Sequence, residues 1–119
     1  MARILLAEDD DSLRGFLARA LTRAGHEVEA VPDGTEALAA LMGRRFDMML
    51  ADIVMPGVDG IELARRAAAA DPALRVVLIT GFAAMAVRAR DEAPGRTRVL
   101  SKPMHLRDLV GQVGELLAS

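Results

Sequence analysis

Met48-Met49-Leu50-Ala51-Asp52-Ile53-Val54-Met55-Pro56-Gly57-Val58-Asp59-Gly60 is the stretch on which the fold turns: four apolar residues in a row, an aspartate at their end, and an Asp59-Gly60 pair placed to cap a following helix. A continuous apolar run of this length suits a strand covered on both faces, as in a parallel sheet. Two more such runs flank it in sequence, Ile4-Leu5-Leu6-Ala7 and Val76-Val77-Leu78-Ile79. Weaker strands are expected at Glu27 to Val31, polar enough for a sheet edge, and at Arg98 to Ser101. Between them, Leu13, Phe16, Leu17, Ala20, Leu21 and Ala24 recur at helical spacing, with Gly25 placed to end that helix. Leu38, Leu41 and Met42 mark a second helix, Ile61, Ala64, Ala67 and Ala68 a third. The last helix carries Leu106, Leu109, Val110, Val113, Leu116 and Leu117 as one stripe. A fourth helix, Ala84 to Arg90, is Ala-rich and broken by Asp91-Glu92-Ala93-Pro94-Gly95, so it is expected to be small or mobile. Five strands alternating with five helices through right-handed crossovers predict an α/β, flavodoxin-like (βα)5 three-layer sandwich with a parallel sheet in the order 2-1-3-4-5.

The 119 residues suit a single domain spanning 1–119, with no output domain expected. A net charge of −2, no basic stripe, no Trp or Tyr, and three scattered Phe (Phe16, Phe46, Phe82) argue against nucleic acid as a partner. The absence of Cys excludes disulfides, thiolate metal sites and cysteine nucleophiles. No apolar run approaches the roughly 18 residues of a membrane span, and Ile4 to Ala7 is too short for a secretory signal core, so a cytoplasmic location is expected. Lys102 is the sole lysine among 15 basic residues, the others all being Arg.

In a parallel sheet every strand ends at one edge, so the residues after each strand converge. Those residues are Glu8 and Asp9 after strand 1, Asp52 after strand 3, Thr80 and Gly81 after strand 4, and Lys102-Pro103 after strand 5. Crowded carboxylates with no His or Cys among them invite a hard cation, Mg²⁺ first. A carboxylate beside such a cation and a lysine is also what phosphoryl transfer to an aspartate requires.

Ile4-Leu5-Leu6-Ala7-Glu8-Asp9, DIVMPGVDG from Asp52 to Gly60, ITG from Ile79 to Gly81 and SKP from Ser101 to Pro103 jointly resemble the receiver domain of two-component response regulators, over the whole chain. The resemblance implies that Asp52 is the phosphoacceptor, fed by a phosphohistidine on a histidine kinase or histidine phosphotransferase. It implies Mg²⁺ on Asp9, Asp52 and the Val54 carbonyl, with Glu8 acting through water. Lys102 and the Thr80 hydroxyl would each hold a phosphoryl oxygen, Gly81 would leave space, and Lys102-Pro103 would be cis. A narrower likeness, in LLAEDD, DIVMPGVDGIELARRA, ITGFAA and LSKPMHLRDLV, is to stand-alone receivers of alphaproteobacteria. That likeness implies a partner in the ClpX/ClpP protease machinery and a role as regulator of cell-cycle proteolysis. The strand-5 position where the family commonly carries a switching aromatic is Val99, so signal is expected to pass instead through the fourth helix and its Pro94-Gly95 loop.

Plainer roles are expected for other polar residues. Asp10 and Asp11 suit the positive end of the first helix dipole, His26 a surface turn, and His105 the opening of the last helix. Competing functions are a Mg²⁺-dependent phosphohydrolase with an aspartate nucleophile, a phosphate sink, and a flavin carrier. The first is disfavoured because Val54 stands where an acid-base aspartate is needed. The third is disfavoured because acidic residues would repel the cofactor phosphate.

Overall fold

The computed structural model describes residues 2–94 and 96–118; Gly95, half of the loop expected to carry signal, lies outside them. Ten elements alternate along the chain: β1 Arg3–Ala7, α1 Asp11–Arg23, β2 Glu27–Val31, α2 Gly34–Gly43, β3 Met48–Asp52, α3 Gly60–Ala70, β4 Arg75–Thr80, α4 Ala83–Glu92, β5 Thr97–Ser101 and α5 Leu106–Ala118. All four strand pairings are parallel, in the order β2-β1-β3-β4-β5.

The strand residues divide by parity. Leu5, Ala7, Met49, Ala51, Val76 and Leu78 pack into one core with Ala37, Ala40, Ile61, Leu63, Ala64, Ala67 and Ala89 of α2, α3 and α4. Ile4, Leu6, Met48, Leu50, Val77 and Ile79 pack into the other with Leu17 and Leu21 of α1 and Leu109 and Val113 of α5. Alternate side chains of a strand leave opposite faces of a sheet, so an uninterrupted apolar run fills both layers at once. The two edge strands are the polar ones, β2 and β5, as expected of strands with less to bury.

Helix ends follow local chemistry. The Asp10, Asp33 and Asp59 carboxylates accept from the amides of Leu13, Glu36 and Glu62 and cap α1, α2 and α3. Asp11 lies in the first turn of α1, and Gly25, at φ +100, turns the chain just past its end.

Three expectations need correction. Phe16 and Met42 are exposed, by 54% and 71%. The buried stripe of α1 is Leu17 and Leu21, one full turn apart, which carries Phe16 about 100° round the helix. The buried stripe of α2 is Gly34, Ala37 and Ala40. The fourth helix is also not small, for α4 has ten residues, as many as α2. Alanine is the best helix former, and Glu92 pairs with Arg88 one turn before it and with Arg65 across on α3. Its buried residues are only Ala86 and Ala89, so its fully buried contact with the sheet is made by small side chains. Truncating a strand residue of the core, Leu6→Ala, should cost about 2–5 kcal/mol, whereas exposed Met42→Ala should stay within about 0.5 kcal/mol; urea titrations of the two variants check this.

Candidate functional site

The parallel register sets the strand ends level. Ala7 lies beside Ala51, Asp52 beside Ile79, and Thr80 beside Ser101. Asp52 and Thr80 are thus the last residues of β3 and β4 rather than the first beyond them, and Glu8, Asp9 and Lys102 follow one or two residues after β1 and β5. One carboxylate oxygen each of Glu8, Asp9 and Asp52 fall within 4.8 Å of one another, the one such acidic group among the described residues. Lys102 closes the cluster, its Nζ donating to Asp52 Oδ2 at 3.0 Å and lying 3.6 Å from Glu8 Oε1.

Each side chain is held from behind. Glu8 is buried, its Oε2 accepting from the Asp10 amide at 3.1 Å, while its own amide donates to Val31 O of β2. Asp52 Oδ1 accepts from the Val54 amide at 3.1 Å, which folds the β3–α3 turn back over the carboxylate. Thr80 is buried, and its Oγ1 accepts from the Phe82 amide at 3.1 Å. The Lys102 amide donates to Thr80 O at 2.8 Å, so Thr80 and the lysine are tied through the backbone. The Lys102–Pro103 bond is cis.

One contributor was not legible in the sequence. Arg14 donates from Nη1 to Glu8 O at 2.9 Å and from Nη2 to Asp11 Oδ1 at 2.6 Å, bracing the acidic β1–α1 loop from the first turn of α1. Nothing distinguishes it from the other arginines except a place one turn beyond the acidic run. Phe82 is 62% exposed and Val54 47% exposed, on the loops after β4 and β3. His105 accepts through its backbone carbonyl from the Leu109 amide, in line with a structural place at the start of α5.

Three carboxylates and one ammonium leave two negative charges over when all are ionised. Charges 4.8 Å apart repel by about 3.5 kcal/mol per pair at an effective dielectric of 20. The donor set is all oxygen, which fits a hard divalent cation. Oxygens sharing one Mg²⁺ at about 2.1 Å lie roughly 3–4 Å apart, so small side-chain rotations of Glu8, Asp9 or Asp52 suffice.

Burial pushes the Glu8 carboxyl above the ordinary carboxylate range, opposed by the Asp10 amide and the Lys102 charge and reinforced by the Asp52 charge and by Asp9. Burial pulls the Lys102 ammonium down, but the hydrogen bond to Asp52 and the charges of Asp52 and Glu8 outweigh it and leave lysine above its usual value. The Lys102 contribution to stability is therefore complete below the ordinary lysine range and fades only in strong alkali. Glu8 works the other way. A folded chain that holds this proton more tightly than the unfolded one loses stability as pH rises from the ordinary carboxylate range, about 4.3, toward neutral.

A family model described as "Response regulator receiver domain" matches residues 4–114. The chain is 51% identical over 117 residues to the response regulator receiver protein CpdR of Brucella abortus, covering 98% of each chain. It is 35% identical to the transcriptional regulatory protein TcrA of Mycobacterium tuberculosis, over 96% of this chain but 45% of that one. Among solved structures, the response regulator TrrA of Thermotoga maritima, in complex with Mg²⁺-BeF, superposes with a TM-score of 0.86 at 26% identity, covering 98% of this chain and 99% of that one. A CheY-like receiver domain of Methanospirillum hungatei gives 0.89 at 28% identity, over 99% and 94%.

Without divalent cation, Glu8→Gln should be more stable than the parent at pH 7, with the gap narrowing as pH falls toward 4. Each unit of pKa displacement removed is worth about 1.4 kcal/mol. Denaturant titrations across that range in EDTA provide the measurement, and a gap that widens toward acid would contradict it.

Proposed function

The chain belongs to the response regulator receiver family, and from that premise we propose that Asp52 accepts a phosphoryl group from a phosphohistidine carried by a histidine kinase or histidine phosphotransferase. The observation that carries this reading is the meeting of Asp52 with Glu8, Asp9 and the sole lysine, from the ends of three different strands, around one small volume. In the step itself an Asp52 carboxylate oxygen attacks phosphorus, the P–N bond breaks, and the imidazole leaves with the electron pair.

The residues divide that task. Asp9, Asp52 and the Val54 carbonyl would hold Mg²⁺, with Glu8 acting through water; the ion supplies positive charge to the phosphoryl oxygens. The Mg²⁺-BeF complex of the Thermotoga relative supports that assignment. Lys102, already 3.0 Å from Asp52 Oδ2, swings its ammonium to a phosphoryl oxygen as the carboxylate becomes an acyl phosphate. Thr80 exchanges its bond to the Phe82 amide for a bond to a second phosphoryl oxygen. At Gly81 an added Cβ would meet nothing closer than Lys102 Cβ at 3.9 Å, which keeps the approach open.

The protein is on this reading a signalling switch rather than an enzyme with turnover on other molecules. Residues 1–119 form one receiver domain on this reading, supported by the family match over residues 4–114 and the 98% mutual coverage with CpdR. Its output, by the same likeness, is regulation of ClpXP-dependent proteolysis through the face of α4, β5 and α5, where Val87 is exposed and Val99 and Leu100 are half-buried. The lightly anchored α4 is the element on that face best able to shift.

Incubation with acetyl phosphate and Mg²⁺ should add one phosphoryl mass to the protein but not to Asp52→Asn, by intact-mass measurement; an adduct on both refutes the assignment. Mg²⁺ should also raise the melting temperature, because only the folded chain gathers the three carboxylates. Val54, two residues past Asp52, offers no polar side chain to orient water. The adduct should therefore persist for minutes or longer, and decay within seconds in a mass time course contradicts this.

A further inference from the structure

The β3–α3 loop, residues 53–59, leaves the site directly after Asp52 and is pinned on the far side by α2. A Cβ built on Gly34, the first residue of α2, would lie 1.6 Å from Val58 O, 2.5 Å from its carbonyl carbon and 2.9 Å from its nitrogen. All three are backbone atoms, so no rotamer change relieves the overlap. The Gly34 amide also donates to Pro56 O at 3.1 Å, and Gly57, at φ +79, faces Thr35 with a built Cβ 2.4 Å from Oγ1. At the loop's other end, a Cβ on Gly60 would lie 2.7 Å from Asp52 O and 2.8 Å from Ile53 Cα, and the Gly60 amide donates to Ile53 O at 2.9 Å. The loop therefore has backbone against it on both sides, and Val54 sits between the two closures.

We propose that the first turn of α2 is the abutment that positions the Val54 carbonyl in the cation site, with Gly34 and the Asp33 cap of that turn as its positioning residues. This rests on the reading of Val54 as a cation ligand. Gly34 admits the loop to backbone contact. Asp33, whose Oδ1 accepts from the Glu36 amide at 2.8 Å, holds the turn rigid. Neither belongs to the carboxylate cluster, and both act through the loop.

The probe is Mn²⁺, followed through the EPR signal of the free ion, well below the melting temperature of every variant. Gly34→Ala should raise the Mn²⁺ Kd at least tenfold, while Gly43→Ala, at the other end of the same helix with nothing within 4 Å of its Cβ, should leave it unchanged. Asp33→Asn removes a charge and keeps a capping oxygen, whereas Asp33→Ala removes both. The alanine variant should bind at least threefold more weakly than the asparagine variant, and this pair carries the test if Gly34→Ala does not fold. In metal-free protein, amide NMR shifts of residues 53–60 should move in Gly34→Ala and Asp33→Ala and stay in place in Asp33→Asn. Affinities equal to wild type in Gly34→Ala, or equal between the two Asp33 variants, overturn the abutment while leaving the receiver reading intact. A wild type that binds no Mn²⁺ overturns the cation role, and with it the proposal, even if the loop shifts move.

Discussion

Charge crowding at the end of a parallel sheet is the constraint around which this molecule is organised. Glu8, Asp9 and Asp52 are brought within 4.8 Å because the strands that carry them run side by side in level register. Separated chains would never hold three carboxylates so close, so the apolar strands impose the arrangement against a repulsion of about 3.5 kcal/mol per ionised pair. Lys102 offsets part of it from β5, two strands beyond β3. What is left over is a standing demand for positive charge, which suits this all-oxygen site to a hard divalent cation.

The scaffold is stiff where that demand must be contained. The strands bearing Glu8 and Asp52 are central and covered by helices on both faces, β1 by α1 and α2 among others, and their side chains alternate between two cores. The loops beyond them are braced by specific groups: Arg14 on the Glu8 carbonyl, the Asp52 carboxylate on the Val54 amide, and α2 against the backbone of Pro56 to Val58. Burial thins toward β5 and α4. There the edge strand is half-exposed and the helix buries only two alanines, its end tied to α3 by Arg65 and Glu92.

Much of this was legible in the residues, for identifiable reasons. Strands covered on both faces leave unbroken apolar runs, so Ile4 to Ala7, Met48 to Ala51 and Val76 to Ile79 were readable without the structure, and strand-end convergence followed from the parallel topology they imply. Lys102 stood out by being unlike every other basic residue. Helices were less transparent. An apolar residue on a helix can lie just outside the buried stripe, as Phe16 and Met42 do, and an alanine-rich segment with breakers after it can still complete three turns when an i, i+4 ion pair closes its end.

The amino-acid order alone therefore determined the layer architecture, the strand order and the identity of the residues at the reactive edge, because apolar periodicity and parallel connectivity are properties of the chain. Only the tertiary structure decided how near those residues come, which oxygen the lysine holds, that Arg14 braces Glu8, and that Gly34 must lack a side chain. Each of these depends on distances between backbones far apart in sequence, and no periodicity records such a distance.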